Sequence, residues 1–217
     1  MTDSDSSSNN VLLVEHPVVA DRLTRLRDRK TPADSFRQTV SELSALIAYE
    51  ALRGLGVGTT RIDTPIASDI EATRVTETVL LVPVLRAGLG MIPAIQALLP
   101  QSDVAHIGLR RNEVTLEPEV YLNRLPAHLA GRRVVVCDPM LATGGSLAGA
   151  CSLVKAHGAT QVMALCLIAS RPGLSRFHSS HADVLVACAA IDTELNGNGY
   201  IVPGLGDAGD RLFGPPD

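Results

Sequence analysis

The chain has 217 residues, enough for one α/β domain with a real core or at most two small ones. It carries 19 basic against 23 acidic side chains, 3% aromatics and no Trp, which disfavours a nucleic-acid partner needing a basic face and stacking platforms. No apolar run approaches the ~20 residues that span a bilayer, so no membrane partner is expected.

Met1–Asn10 is polar, Ser/Asn/Asp-rich and without a signal-peptide pattern, which predicts a disordered leader (residues 1–10) on a cytoplasmic protein. Residues 11–217 are expected to form one domain. Val11–Val14 is a short apolar run, and a helix follows to about Arg29. Thr31 is placed to cap a second helix, with Pro32 at its first position. Phe36, Val40, Leu43, Leu46 and Ile47 recur at helical spacing, while the arginines from Arg22 to Arg37 read as a solvated face. Val57–Ile66 and Ile70–Val75 alternate loosely, as a hairpin or edge pair does.

Val79–Val84 reads as a buried strand that runs into the loop Leu85-Arg86-Ala87-Gly88-Leu89-Gly90, with a helix from Met91 to Leu98. Arg86 sits at the strand end, where a guanidinium suits bidentate pairing with a phosphate. Val104–Leu109 is a further strand. The charged, aperiodic stretch at about 110–124 has the length of a flap over a site.

The stretch Val134–Ser146, VVVCDPMLATGGS, carries the most chemistry. An apolar β-branched run ends in Asp138, at the strand end where open α/β sheets bind ligands. Pro139 turns the backbone out of the sheet. Thr143-Gly144-Gly145-Ser146 then opens a helix over Leu147–His157. Glycines, free N–H groups and a helix dipole together make an anion cradle. It is not a nucleoside-triphosphate P-loop, because no G-x-x-x-x-G-K-[ST] pattern is present.

Val162–Ala169 and Val184–Ala189 read as further strands, with a helix opening at Arg171-Pro172-Gly173. His178 and His181 between them read as a surface pair rather than a metal site. The four cysteines, Cys137, Cys151, Cys166 and Cys188, lie in apolar contexts and read as small core residues. Six strands with intervening helices predict a mostly parallel, doubly wound α/β sheet with helices on both faces. The tail at about 190–214 contains NGNGYIVPGLGDAGDRLFG. It is too apolar for a solvated end, and its glycines let backbone N–H and C=O groups approach a flat ligand closely.

V-P-V-L-R-A-G-L-G, R-N-E-V-T-L-E-P, D-P-M-L-A-T-G-G-S and G-Y-I-V-P-G-L-G-D-A-G-D-R occur in this order. Together they resemble the type I phosphoribosyltransferases, and within them the uracil phosphoribosyltransferases. Most type I members carry two adjacent acids where this chain has Asp138-Pro139. The resemblance implies conversion of uracil and phosphoribosyl pyrophosphate (PRPP) to UMP and diphosphate. PRPP would be held by Arg86, Arg111, Asp138, Pro139, Met140, Leu141, Ala142, Thr143, Gly144, Gly145, Ser146 and Asp207. Uracil would meet Ile201, Gly206, Asp207 and Ala208. Asp138, Asp207 and Arg86 are the implied catalytic residues, with Mg2+ as cofactor held mainly by substrate oxygens and no protein metal cluster. The resemblance also implies a cis Leu85–Arg86 peptide, a flap and C-terminal hood over the site, a homo-oligomer and GTP as a candidate effector. Arg110 stands where many members have an aromatic residue. Two other readings fit less: a PRPP- or UMP-sensing regulator of RNA that keeps the fold, and an enzyme for a purine. The first lacks a basic face, and for the second the tail offers only Tyr200 and Phe213 for stacking.

Overall fold

Apolar runs whose alternate residues feed two separate cores build the centre of this protein. In the computed structural model, residues 10–111 and 118–215 are described. Strand β1 (Val11–Leu13) leads into helices α1 (Pro17–Arg27) and α2 (Ala33–Ala51). The hairpin β2 (Val57–Ile62) and β3 (Ile70–Val75) precedes β4 (Val79–Leu85), a tight helical turn at Ala87–Met91, and α3 (Ile92–Leu98). Then come β5 (Asp103–Val104), β6 (Ile107–Arg111), β7 (Pro118–Asn123), β8 (Arg133–Cys137), β9 (Met140–Leu141) and α4 (Gly145–Ala156). The rest is β10 (Gln161–Leu165), β11 (Ile168–Ser170), α5 (Arg171–Ser180), β12 (Leu185–Cys188), β13 (Ala190–Asp192), β14 (Glu194–Leu195), β15 (Ile201–Val202) and α6 (Ala208–Phe213).

The main sheet runs β1-β12-β10-β8-β4-β6-β7, with β5 also on β4. All its pairings are parallel except β6 with β7. Period-two alternation sends Leu81, Val135 and Cys137 into one core with Leu26, Phe36, Leu43, Ile47 and Met91. Leu80, Val82, Val134 and Val136 enter the other, with Leu147, Cys151, Val154 and Phe177. Each fully buried Leu, Ile or Phe contributes about 1.5–3 kcal/mol, so these stripes hold α1, α2, α4 and α5 against the two faces. The expected doubly wound sheet is present.

Several details differ from expectation. Residues 1–9 of the leader lie outside the described residues, but Asn10 is already anchored: its side-chain N–H donates to Ala182 O at 3.0 Å. Thr31 does not cap α2, because its hydroxyl donates to Arg25 O at 2.6 Å and Pro32 occupies the cap position. The arginines of α1 and α2 are not simply solvated: Arg22 pairs with Glu42, Arg27 with Asp192, and Arg37 donates to Leu212 O at 3.2 Å. The stretch expected as an irregular flap is in its described part a β-hairpin arm, β6–β7, with Arg110 paired to Glu119 across it. Residues 112–117 and the side chain of Arg111 lie outside the described residues.

The run Val162–Ala169 is two strands, not one. Pro139 has no N–H to continue the β8 ladder, and its carbonyl accepts instead from Leu167 N–H at 2.9 Å and Ile168 N–H at 3.2 Å. The neighbouring chains bend with it, so β9, β11 and β13 form a second, three-stranded parallel sheet. Val184–Ala189 is shortened at the same level.

His178 and His181 are not a surface pair. His181 is 5% exposed. Its Nε2 lies 3.0 Å from Ala148 O, and its Nδ1 lies 3.2 Å from Lys155 Nζ, which tie the end of α5 to α4. Burial, then the Lys155 charge, holds its pKa below 6.5. The unfolded chain therefore takes up a proton that the native state resists, and stability is lost as pH falls below about 6.5. Thermal melts between pH 8 and pH 5 are expected to show this acid loss in wild type and a smaller one in His181→Asn. The four cysteines are buried and free.

Candidate active site

Asp138 lies where β8 breaks, and its backbone N–H donates to Leu165 O at 3.1 Å. The residue is half-buried. Loss of water around the carboxyl pushes its pKa up to about 7, opposed by a Met140 N–H contact at 3.4 Å. After β9 the chain turns through Ala142, Thr143 and Gly144 into α4, around a concavity of about 80 Å³ that Asp138 also lines. Ser170 pins the back of this loop: its hydroxyl donates to Ala142 O at 2.6 Å and accepts from Gly173 N–H at 2.9 Å. The N–H groups of Thr143, Gly144, Gly145 and Ser146 donate to no protein acceptor among the described residues. Unspent donors at a helix start are what a phosphate requires.

Gly144 has φ +83°, and a Cβ there would lie 2.9 Å from Gly173 O. A side chain at this position therefore strikes the α5 backbone as well as straining its own. Gly144→Ala is expected to cost about 1–3 kcal/mol of stability and to distort the cradle. A lowered melting temperature together with weakened phosphate binding checks this.

The second loop leaves β4 at a cis Leu85–Arg86 peptide, the bond the sequence led us to expect. A Cβ at Gly88 would sit 2.4 Å from Cys137 O, so this loop is pressed onto the end of β8 and the two loops are held side by side. Arg86 and Asp210 are both half exposed, with Nη2 and Oδ1 3.1 Å apart. Asp210 was missed by sequence reasoning, although its place in G-D-A-G-D-R was the one available signal.

The tail contacts both loops. Ile201 is buried in the β14–β15 pair, and Leu205, Ala208 and Leu212 join the α1–α2 core. A Cβ at Gly199 would touch the Thr143 methyl at 3.4 Å, and one at Gly209 would lie 3.9 Å from Arg86 Nη2. Arg211 holds the tail down. Its guanidinium stacks 4.0 Å from the Phe36 ring centroid and donates to Leu26 O, to Leu205 O at 2.8 Å and to Asp28 O at 2.8 Å. Gly206 has φ +78°, and the N–H groups of Gly206 and Ala208 meet no protein acceptor among the described residues. The Asp207 carboxylate caps α6 by accepting from Asp210 N–H at 2.9 Å. Three segments that carry sequence-predicted residues thus meet, at Gly88 with Cys137, Gly199 with Thr143, and Gly209 and Asp210 with Arg86, while the Arg111 side chain lies outside the described residues.

Two larger grooves, of about 450 and 530 Å³, flank Leu13–His16 and share no residue with the cradle. Among the described residues, no group of three or more His, Cys, Asp or Glu is placed to hold a metal, and no helix is long and apolar enough to cross a membrane.

A mostly parallel α/β sheet with a glycine-rich loop after an acidic strand end, an arginine loop beside it and a tail packed against both has the architecture of a type I phosphoribosyltransferase. A family model for uracil phosphoribosyltransferase matches residues 13–215. The chain belongs to that family. It is 47% identical over 206 residues to the uracil phosphoribosyltransferase of Clostridium perfringens, covering 95% of this chain and 99% of the relative. The uracil phosphoribosyltransferase of Kineococcus radiotolerans is 46% identical over 205 residues, 93% of this chain and 97% of its own. The AQ2163 protein from Aquifex aeolicus superposes with a TM-score of 0.89 at 36% identity, over 94% of this chain and 98% of that one.

Proposed function

We propose that this protein transfers the phosphoribosyl group of PRPP to uracil, giving UMP and diphosphate. The cradle of unspent amides beside Asp138, in a chain of the uracil phosphoribosyltransferase family, is the observation that carries the reading. In the reaction the uracil N1–C1 bond forms as the anomeric C–O bond breaks, diphosphate leaves and the N1 proton is released. Positive charge builds on the ribose and negative charge on the leaving group. The amides of residues 143–146 would hold the 5-phosphate, Asp138 the ribose hydroxyls, and Arg86 with its loop the diphosphate, as fixed charges in place before the reaction. Asp207 and the amides of Gly206 and Ala208 would set the base in line, with Ile201 beneath it. The β6–β7 arm with Arg111, and the tail as hood, would keep water from PRPP.

A donor set with few carboxylates fits Mg2+ held mainly through substrate oxygens and water, with Asp138 and Asp207 as its protein neighbours. Bound there, Mg2+ would supply further charge stabilisation for the diphosphate. A cytoplasmic location, a homo-oligomeric state and a response to GTP belong to the same proposal, supported by the resemblance. Nothing favours the RNA regulator: the net charge is −4, and the curated relatives at full coverage bear the enzyme's name.

A PRPP-dependent assay across uracil, cytosine, hypoxanthine and orotate tests the proposal. Consumption of uracil alone, with one diphosphate per UMP, is expected; no uracil turnover would overturn it. Arg86→Ala is expected to weaken PRPP and diphosphate while sparing uracil. A lost charge-assisted hydrogen bond costs about 1.5–3 kcal/mol, or roughly 10- to 150-fold. Substrate-specific KM values check this.

A further inference from the structure

Arg27 and Asp192 stand 165 positions apart and meet at one turn of the tail. Asp192 is 7% exposed and ends β13. Its carboxylate accepts from Arg27 Nη1 at 2.8 Å and Nη2 at 2.7 Å, and from Gly204 N–H at 3.0 Å. Arg27 Nη1 also donates to Gly204 O at 3.0 Å. The pair therefore grips both backbone polar groups of one residue. Gly204 has φ +62°, and a Cβ on it would come within 2.1 Å of Ile201 O, so its turn is tight as well as gripped.

That turn separates Ile201 from Gly206–Ala208, the two halves of the segment assigned to the base. Asp192 lies opposite Ser170 in the small sheet, and Ala169 of the same central strand lies opposite Leu141 at the root of the cradle. A continuous hydrogen-bonded path thus runs from the phosphate cradle, across three strands, to Asp192 and the Gly204 turn. From this juxtaposition we infer that the Arg27–Asp192 pair is a positioning device for the transfer, fixing the base-reading segment at a set distance from the cradle. Neither residue need touch a substrate. The inference rests on the proposed function for its kinetic consequence, and on the geometry alone for its structural one.

Loss of the pair is expected to impair the step that depends on base placement and to spare PRPP. Misplacement by about 1 Å costs on the order of 100-fold in rate. Asp192→Asn leaves the part-buried Arg27 guanidinium without its charge partner and is open to misfolding, so two other variants carry the test. Arg27→Met with Asp192→Leu replaces the ion pair by apolar groups, an exchange that proteins commonly tolerate in stability. Arg27→Lys keeps the charge but cannot bridge Asp192 and Gly204 O in the same fork. In both, kcat/KM for uracil is expected to fall by about 10- to 100-fold while PRPP affinity by equilibrium dialysis stays within about threefold. Hydrogen exchange reads the same device without any substrate. Amides from Leu205 to Ala208 are expected to exchange at least about tenfold faster, with those at 143–147 unchanged. Uracil kinetics within about threefold of wild type, an equal loss for PRPP, or unchanged exchange at 205–208 would overturn the inference. Failure of the wild type to use uracil would overturn the proposed function instead, and the exchange result would still decide the positioning role.

Discussion

Wild-type protein is expected to use cytosine about 10⁴-fold less efficiently than uracil or worse, and Ala208→Pro is expected to lose uracil turnover while remaining folded. Uracil offers alternating acceptor, donor and acceptor groups. Cytosine exchanges a carbonyl for an amino group and loses the neighbouring ring N–H, so two matched contacts become opposed ones. Such sites reject the wrong partner strongly because buried polar groups are left unpaired. Ala208 is the first residue of α6, where a proline costs the helix no hydrogen bond. Asp207 before it is extended, with φ −79° and ψ 114°, a conformation that tolerates a following proline. The substitution therefore deletes one unspent donor and leaves the backbone path intact. Steady-state kinetics with both bases, alongside a thermal melt, separate lost recognition from lost packing. Comparable use of cytosine by wild type, or full uracil activity in Ala208→Pro, would remove the tail from base selection.

Asp138→Asn is expected to lower turnover by roughly 10²- to 10⁴-fold, the loss of two charged hydrogen bonds at about 1.5–3 kcal/mol each. It is also expected to stabilise the protein above neutrality. Unfolded, the carboxyl titrates near 3.8; folded, near 7, because burial disfavours its charge. Between those values the native state holds a proton that the unfolded chain has released. Stability therefore declines as pH rises through that window, and the deficit is complete above about pH 7. An asparagine has nothing to ionise. A gain on the order of 1–4 kcal/mol at pH 8, read as roughly 2–4 °C per kcal/mol in melting temperature, should vanish as the pH approaches 4. A melting temperature that responds equally at both pH values would mean that Asp138 is not held against its charge.

Much of the sheet and the whole cradle were legible because their signals are local. Val134–Cys137 is a short apolar run stopped by Asp138 and Pro139, and Gly144-Gly145 marks the start of a helix. The break at Cys166–Leu167 was not legible, since both halves of that run are buried and look alike in sequence. It follows from Pro139 on the neighbouring strand, which no reading of residues 162–169 alone can see. The arginines of α1 and α2 failed for a related reason: Arg27 and Arg37 bind acceptors 165 and 175 positions away, while periodicity reports only which face of a helix is polar. Arg86 was placed correctly at its strand end, yet its partner Asp210 lies 124 positions on. Thr31 was misjudged because a hydroxyl near a helix start has a choice of acceptors, and the Arg25 carbonyl won.

The tail's dependence on α1 and α2 also orders events on the ribosome. Arg27 emerges 165 residues ahead of Asp192, and Arg37 emerges 175 ahead of Leu212. At about 5–20 residues per second, Arg27 waits roughly 8–33 s for its partner. During that interval the sheet and the cradle can assemble while the guanidinium has only water for company. The docking of α6 then follows the assembly of the sheet and the cradle, so the loop after β8 is in place before the tail reaches it.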